Sequence, residues 1–399
     1  MNTKEITLIT ALLIAIISVT DMATDLFVPT LPNLVDYFDS DESTISWTIS
    51  CALFGFCLSA PLYGPLSDTY GRRRMFLVGL GVFSLGNLAC SFASSPEALM
   101  VAQFLQGTGQ TVGYVVGIAM VRDLYSREKF SKIMSLMQMV VSLTPAIAPI
   151  IGSYVGQYYG WQTNFIGLFL IGCFLMLMTF FMPETVSIAQ RKEFSLQKMR
   201  CDYTAILTSK YFMGNSFISA IIYSGLWIYM AEAPHIFEKL FVERTNFGYY
   251  SAFLAVLFII GATINNRTIE KYGIHLVFKV SLYTCFCGSL VFAIVNYAYP
   301  DSSIIMCASL TLFAVGIGGV FANATTGAME QFPDQKGTAA AALACIENLV
   351  PAIVITIMGY FYDRTTLPIS IGLIITTTLA LFIRWWLYGR CYTAKHKNI

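Results

Sequence analysis

The sequence predicts an all-α polytopic membrane protein whose twelve transmembrane helices form two six-helix, pseudo-symmetric bundles. The prediction depends on an apolar composition, on twelve long apolar runs, and on Lys and Arg residues gathered on one side of those runs. Of the 399 residues, 56% are hydrophobic and 12% are charged, whereas soluble domains average about 45–50% apolar and about 25% charged residues. This bias excludes an ordinary soluble enzyme, and disordered chains have the opposite bias.

The apolar runs give the number of spans. A bilayer core about 30 Å thick takes roughly 20 apolar helical residues per crossing. Twelve runs meet this length, at residues 6–29, 47–67, 75–94, 97–121, 133–156, 162–182, 211–232, 247–266, 274–296, 303–326, 338–361 and 366–388. The first run is not interpreted as a cleaved signal peptide, because it is too long, contains Asp21 and Asp25, and precedes no small-residue cleavage site.

The basic residues predict the orientation. With an even number of spans, both termini lie on one side, and 21 of the 24 Lys and Arg residues fall on that side. The other side has only Lys239, Arg244 and Arg364. By the positive-inside rule, both termini are predicted to be cytoplasmic. We expect the protein in a bacterial inner membrane.

Two halves are indicated by the longest polar segment, which separates the sixth span from the seventh. It predicts an N-terminal bundle at 1–184, a cytoplasmic linker at 185–210 and a C-terminal bundle with a short tail at 211–399. The halves also resemble each other: QGTGQTVG from Gln106 matches VGIGGVFA from Val315, and LTPAIAPIIGSY from Leu143 matches LVPAIVITIMGY from Leu349. Internal repeats of this kind are typical of transporters, with the substrate site at the repeat interface.

Other chemistries have no sequence support. The ten cysteines show no metal-binding spacing, so we expect neither a metal site nor a cofactor. A net charge of +1 with no basic domain argues against nucleic-acid binding. Nucleotide-binding and hydrolase motifs are also absent from the sequence. Transport would therefore depend on an ion gradient or run downhill.

The loop between the second and third spans reads GPLSDTYGRRR, from Gly64 to Arg74. Glycine allows close helix contact and a tight turn, and the acidic residue can pair with the arginines. The pattern G-x-L-x-D-x-x-G-R-R closely resembles the loop motif of the major facilitator superfamily. The resemblance implies that the loop forms a cytoplasmic gate in the outward-open state, with the residues Gly64, Asp68, Gly71, Arg72 and Arg73.

Further motifs resemble one subfamily, the bicyclomycin-resistance-type (Bcr/CflA) drug:proton antiporters. DLFVPTLP from Asp25 resembles its first-helix signature, and Pro145-x-x-x-Pro149-x-x-Gly152 resembles the fifth-helix antiporter motif. Three shorter matches are Val121–Tyr125, Trp161 with Phe165, and Pro183–Thr185. The second-half copy of the loop motif, Glu270-x-x-Gly273, is degenerate. The resemblance implies the major facilitator fold and export of the substrate against protons.

The chain departs from that subfamily at Gln103. The family's fourth-helix motif has an arginine there that is linked to proton coupling, whereas this chain reads Gln103-Phe104-Leu105-Gln106-Gly107. Glutamine can form hydrogen bonds but holds no permanent charge. Proton coupling would therefore use a different arrangement.

Ionisable side chains inside spans are the candidates for proton coupling. Such a group costs about 2.5–3.5 kcal/mol at the bilayer centre and usually marks a pathway or a relay. Asp21 and Asp25 lie one turn apart on the first span, where two close carboxylates would form a protonatable site. Glu347 is either a hydrogen-bonded packing group or a cavity residue. Glu232, which ends the seventh span, is interpreted as a residue of the outer mouth, with a coupling site as the alternative, and His235 is assigned to the wet interface.

Polar and aromatic residues in the spans are candidates for contact with substrate. A pocket for bulky apolar molecules uses aromatic and amphipathic side chains, although most aromatic residues in so apolar a chain are packing residues. The candidates are Gln103, Tyr114, Gln138, Tyr223, Trp227 and Asn323.

Together these features predict a secondary transporter that is not an enzyme. It is expected to act as a monomer in the lipid bilayer, exchanging protons for a drug-like or natural-product small molecule by alternating access. Two alternatives stay open: an importer or uniporter of a small polar nutrient or metabolite, and a non-transporting membrane sensor.

Overall fold

The described chain is helical, with no β-strand, in a computed structural model that describes residues 3–125, 127–186, 191, 194–241, 246–300, 302–332, 335–363 and 365–395. The helices of the N-terminal half are α1 (Thr3–Phe27), α2 (Leu31–Phe38), α3 (Glu42–Tyr70), α4 (Arg72–Ser91), α5 (Pro96–Leu124), α6 (Arg127–Val141), α7 (Thr144–Tyr159) and α8 (Trp161–Phe181). A 3₁₀ turn, Val28–Thr30, joins α1 to α2. The later helices are α9 (Leu196–Leu207), α10 (Lys210–Phe241), α11 (Asn246–Tyr272), α12 (Ile274–Ala298), α13 (Ser303–Ser309), α14 (Thr311–Met329), α15 (Lys336–Phe361) and α16 (Leu367–Lys395).

Local sequence explains where several helices begin. Asp41 caps α3 by accepting hydrogen bonds from the Thr44 amide at 2.8 Å and from the Ser43 hydroxyl. The bond from Ser43, together with those from Thr44, holds the pKa of Asp41 below its usual value. Gly71 has a φ of 103° at the junction between α3 and α4, and its counterpart Gly273 has a φ of 77° between α11 and α12. Glycine adopts this backbone region without strain.

Eleven of the twelve predicted runs correspond to helical segments that could cross a membrane. Within the described residues, eleven helical segments are long and apolar enough to cross a membrane. The run predicted at 97–121 corresponds to α5, which is outside that group although its 29 residues exceed the length of a crossing. Three glutamines, Gln103, Gln106 and Gln110, lower its hydropathy.

Two of the predicted spans are interrupted. The run at 133–156 divides into α6 and α7 because Pro145, in the first turn of α7, has no N–H for the preceding turn. The run at 303–326 divides at Leu310, whose amide bonds to the carbonyl of Cys307 at 3.2 Å in a tightened turn. Neither proline nor glycine occurs at this second interruption.

Contacts between Cα atoms divide the chain into two compact units. The first contains Met1–Cys201 with Phe247–Tyr249, and the second contains Asp202–Asn246 with Tyr250–Ile399. The division falls within α9, inside the predicted linker. The domain limits expected from the sequence, at 184 and 211, stay a prediction.

Glycine contacts inside each unit follow the same plan. In the first unit, a side chain on Gly55 would meet the Phe104 carbonyl, and one on Gly107 would meet the Ala52 carbonyl, so α3 and α5 approach closely. In the second unit α11 and α14 make the same reciprocal contact, which joins Gly261 to Val315 and Gly318 to Phe258. When the segments that start at Gln106 and Val315 are aligned from their first residues, Gly107 pairs with Gly316. The helix contacts instead make Gly318 the structural equivalent of Gly107.

Candidate functional site

Two carboxylates of α1 lie within the first unit, one turn apart. The Asp21 side chain is exposed and Asp25 is half-buried. The Thr144 hydroxyl is 2.8 Å from Asp21 Oδ2 and also 2.8 Å from the Val141 carbonyl. A hydroxyl has one proton to donate. The hydroxyl is therefore placed to donate to the Asp21 carboxylate or to the Val141 carbonyl.

The antiporter-motif residues hold α7 against α1. Gly152 is buried, and a side chain there would meet the carbonyl of Leu26 on α1. Asn164 of α8 donates to the Gly152 carbonyl at 3.2 Å. Pro149 is buried in the same helix, whereas Pro145 lies next to Thr144. The motif therefore places Thr144 beside Asp21.

The predicted gate loop centres on Arg72, whose side chain is 5% exposed. Its guanidinium contacts Asp68 at 2.5 Å and Asp123 at 3.0 Å, and donates to Ser67 at 2.6 Å. Asp123, at the end of α5, belongs to the segment Val121–Tyr125, which resembles the subfamily but was not expected to contact the gate loop. The pairing of Arg72 with Asp68 agrees with the expectation, and the arginine also ties α4 to α5.

Glu184 is a further member of this loop cluster. Its carboxylate accepts hydrogen bonds from the backbone N–H of Arg72 at 2.9 Å and from that of Thr185 at 3.1 Å. Arg73 donates to the Phe180 carbonyl and lies over the Phe180 ring, 5.3 Å from its centroid. Arg73 therefore anchors the loop to the end of α8, a partner that local sequence did not indicate. A side chain on Gly71 would meet the Glu184 carboxylate, so glycine allows this contact. Gly64, by contrast, has only one atom near the place of a side chain, at 3.9 Å.

In the second unit, Glu347 is 9% exposed and accepts a hydrogen bond from Ser219 at 2.6 Å. This bond joins α15 to α10. One turn along α10, Tyr223 contacts the rings of Trp227 at 6.1 Å and Phe321 at 5.8 Å. The structure thus places the Glu347 carboxylate of α15 against α10, one turn from the aromatic cluster on that helix.

The six candidates for substrate contact differ in exposure. Tyr114 and Gln138 are exposed, and Tyr223 is half-buried. Gln103, Trp227 and Asn323 are 1%, 6% and 2% exposed. Asn323 nevertheless lines a cavity of the second unit with Tyr211, His275 and Tyr388, whereas contact of a substrate with Gln103 or Trp227 would require a different arrangement of the helices. The role of all six stays a prediction.

The sequence suggested that Glu232 and His235 lie in a wet mouth, but the structure buries both side chains. They are 3% and 2% exposed, because α10 continues to Phe241, beyond the predicted end of its span. Their burial favours the second of the two roles that the sequence allowed for Glu232, that of a proton-coupling group. Across the described residues, His, Cys, Asp and Glu side chains form no group of three that could hold a metal.

Comparison with known proteins decides the family. The profile of the Major Facilitator Superfamily matches residues 12–355. The chain belongs to the Major Facilitator Superfamily. It is therefore a multi-pass membrane transporter of small molecules and not an enzyme.

The curated relatives of this superfamily member match it nearly end to end. The bicyclomycin resistance protein homolog of Haemophilus influenzae is 24% identical, with 98% of each chain covered. Multidrug resistance protein D of Escherichia coli is 26% identical, with 94% of each chain covered. Among solved structures, the xylose transporter XylE from E. coli, partially occluded and inward open, superposes with a TM-score of 0.75. Its 14% identity, over 97% of this chain and 98% of XylE, shows the shared fold alone.

Proposed function

We propose that this transporter is a proton-coupled antiporter that exports drug-like or natural-product small molecules by alternating access. The names of the bicyclomycin- and multidrug-resistance relatives support this substrate class. In this proposal the protein acts as a monomer in a bacterial inner membrane with both termini cytoplasmic. The segments 1–184 and 211–399 move as two domains joined by 185–210.

The hydrogen bond between Asp21 and Thr144 carries the proposal. The Thr144 hydroxyl donates to Asp21 when Asp21 is ionised, whereas a protonated Asp21 can donate to Thr144 and leave the hydroxyl proton to the Val141 carbonyl. Protonation at Asp21 would thereby change how α1 contacts the first turn of α7. Asp25, one turn away on the same helix, is the second carboxylate of this proposed proton site.

Other residues complete the proposed cycle. Glu347, bonded to Ser219, is a further proton-coupling candidate in the second unit. The loop residues Asp68, Arg72 and Arg73 latch the cytoplasmic side, and Pro145, Pro149 and Gly152 shape α7. The six candidates for substrate contact would line the path of the exported molecule. Asp21 would compensate for the arginine that Gln103 replaces.

The test uses proteoliposomes with a lumenal pH dye, an imposed proton gradient and a panel of bicyclomycin, lipophilic cations and siderophores. The wild type is compared with Asp21→Asn, Asp25→Asn and the control Glu97→Gln, whose exposed side chain lies in the first turn of α5. We expect substrate-triggered proton movement in the wild type and control and its loss in either aspartate variant.

The other results separate the alternatives. Substrate flux without proton movement would refute antiport and leave an importer or uniporter. If both aspartate variants moved protons like the wild type, these carboxylates would not be the coupling groups.

A further inference from the structure

Glu232, near the end of α10, is the most enclosed carboxylate that the proposed cycle does not use. Its side chain is 3% exposed. Neither carboxylate oxygen has a hydrogen-bond partner in the part of the chain that the structure describes. Asp21 and Glu347, in contrast, each bond to a hydroxyl. An ionised carboxylate would have no stabilising contact at Glu232.

Among the described residues, no cation forms an ion pair or a hydrogen bond with Glu232. His235, on the same helix, lies beside Tyr362, with 6.0 Å between ring centroids, and no ion pair joins His235 to Glu232 in the described structure.

Among the described residues, the helices packed most extensively against α10 add no nearby cation. These are α14, α15 and α16, and α11 also contacts α10 through Tyr250 and Phe237. In sequence, α14 has no ionisable residue, and α16 has none before Arg384, near its other end. The titratable side chains of α15 in this half of the helix are Glu347 and Tyr360. An unpaired buried charge costs several kcal/mol, so the neutral acid is the form that fits this environment.

Pro234 gives this end of α10 a way to open. A proline inside a helix has no N–H to donate, so the backbone bond to residue 230 is absent and the helix bends there more easily. Glu232 lies between these two positions. Water can reach the carboxyl group only if this end of the helix moves.

We propose that Glu232 is a second proton-binding site, in the second unit, that keeps its proton while buried and releases it when the end of α10 opens to water. The role of Glu232 in transport rests on the proposed antiport. The protonation of Glu232 in the resting protein is independent of that proposal, because it follows from the burial of the side chain and from the absence of a hydrogen-bond partner among the described residues. The first unit has a comparable feature, since Asp25 lies near the end of α1 and Pro29 follows it.

The first experiment measures the resting proton by infrared spectroscopy, in the C=O stretching region of protonated carboxylic acids. The full-length protein in lipid at neutral pH is compared with Glu232→Gln and with Glu97→Gln, which changes an exposed glutamate in the first turn of α5. We expect a band in the wild type and in Glu97→Gln that is missing in Glu232→Gln. An unchanged spectrum in Glu232→Gln would overturn the proposal.

A second variant keeps the test valid if Glu232→Gln does not fold. Glu232→Leu replaces an unpaired neutral acid by an apolar side chain of similar size, so we expect it to fold and to lack the same band. Retention of the band in folded Glu232→Leu would likewise overturn the proposal.

The role in the cycle is tested by counting protons moved per substrate in proteoliposomes. We expect Glu232→Gln to keep substrate flux while this ratio falls by one proton, with Glu97→Gln unchanged. An unchanged ratio in Glu232→Gln would refute release of this proton during transport. If the wild type moves no protons, the antiport proposal fails, while the infrared result still decides whether Glu232 is protonated.

Discussion

Replacement of Arg72 by Gln should cost about 2–4 kcal/mol of unfolding free energy. The guanidinium is nearly buried and is 2.5 Å from Asp68 and 3.0 Å from Asp123. Hydrogen bonds to charged groups contribute about 1.5–3 kcal/mol each, and removal of one partner from a buried ion pair costs about 3–5 kcal/mol. The carboxylates are 28% and 20% exposed, so water partly compensates them and the estimate is reduced.

The assay is unfolding in mixed detergent micelles, followed by tryptophan fluorescence. A double-mutant cycle uses Arg72→Gln, Asp123→Asn and the combined variant. We expect a coupling energy of about 1–3 kcal/mol, because either single change leaves an unpaired charge and the combined change leaves none at this contact. Arg72→Lys should restore only part of the loss, since an ammonium lacks the planar fork that reaches two carboxylates.

A coupling energy near zero would refute this reasoning. It would mean that the contact between α4 and α5 is stabilised by apolar packing and that the ion pair contributes nothing measurable. Glu184 provides a control for this interpretation. Its carboxylate accepts a hydrogen bond from the backbone N–H of Arg72, which substitution of the side chain leaves in place. Glu184→Gln should therefore have nearly the same effect in the wild type and in Arg72→Gln.

Three other substitutions test the packing and polar contacts. Gly152→Ala should lower the free energy of unfolding by about 1–3 kcal/mol and reduce transport, because the added carbon meets a backbone carbonyl of α1. The control Gly167→Ala, where no atom lies within 4 Å, should be neutral or stabilising. Equal effects of the two substitutions would contradict this prediction. Asp41→Ala should lose about 1 kcal/mol of capping energy. Since the folded pKa of Asp41 is lowered, that difference should be full at neutral pH and shrink below about pH 4, and a pH-independent difference would argue against the carboxylate cap. Asn87→Leu should lower the free energy of unfolding by about 1–3 kcal/mol, because the buried Gln106 amide, which donates to Asn87 at 2.9 Å, loses its acceptor. Adding Gln106→Leu should recover part of this loss in the same unfolding assay. A further loss in the double variant would contradict the prediction.

The sequence alone determined the class, most of the spans and the family. Apolar runs of membrane length are a local property, since each helix must satisfy its own backbone in lipid. The loop motif is equally local: Gly71 has the positive φ that its turn requires, and Asp68 pairs with Arg72 four residues later. The span at α5 is less distinct because its glutamines serve contacts between helices, as Gln106 does with Asn87.

Only the tertiary structure decided which polar groups are enclosed and what they touch. Thr144 and Asp21, Arg72 and Asp123, and Ser219 and Glu347 are each far apart in the chain and meet through helix packing. Glu232 shows the limit most clearly, since its place near a span end suggested a wet mouth, whereas neighbouring helices bury it. Hydropathy records how apolar a segment is, but the burial of one side chain depends on the helices around it.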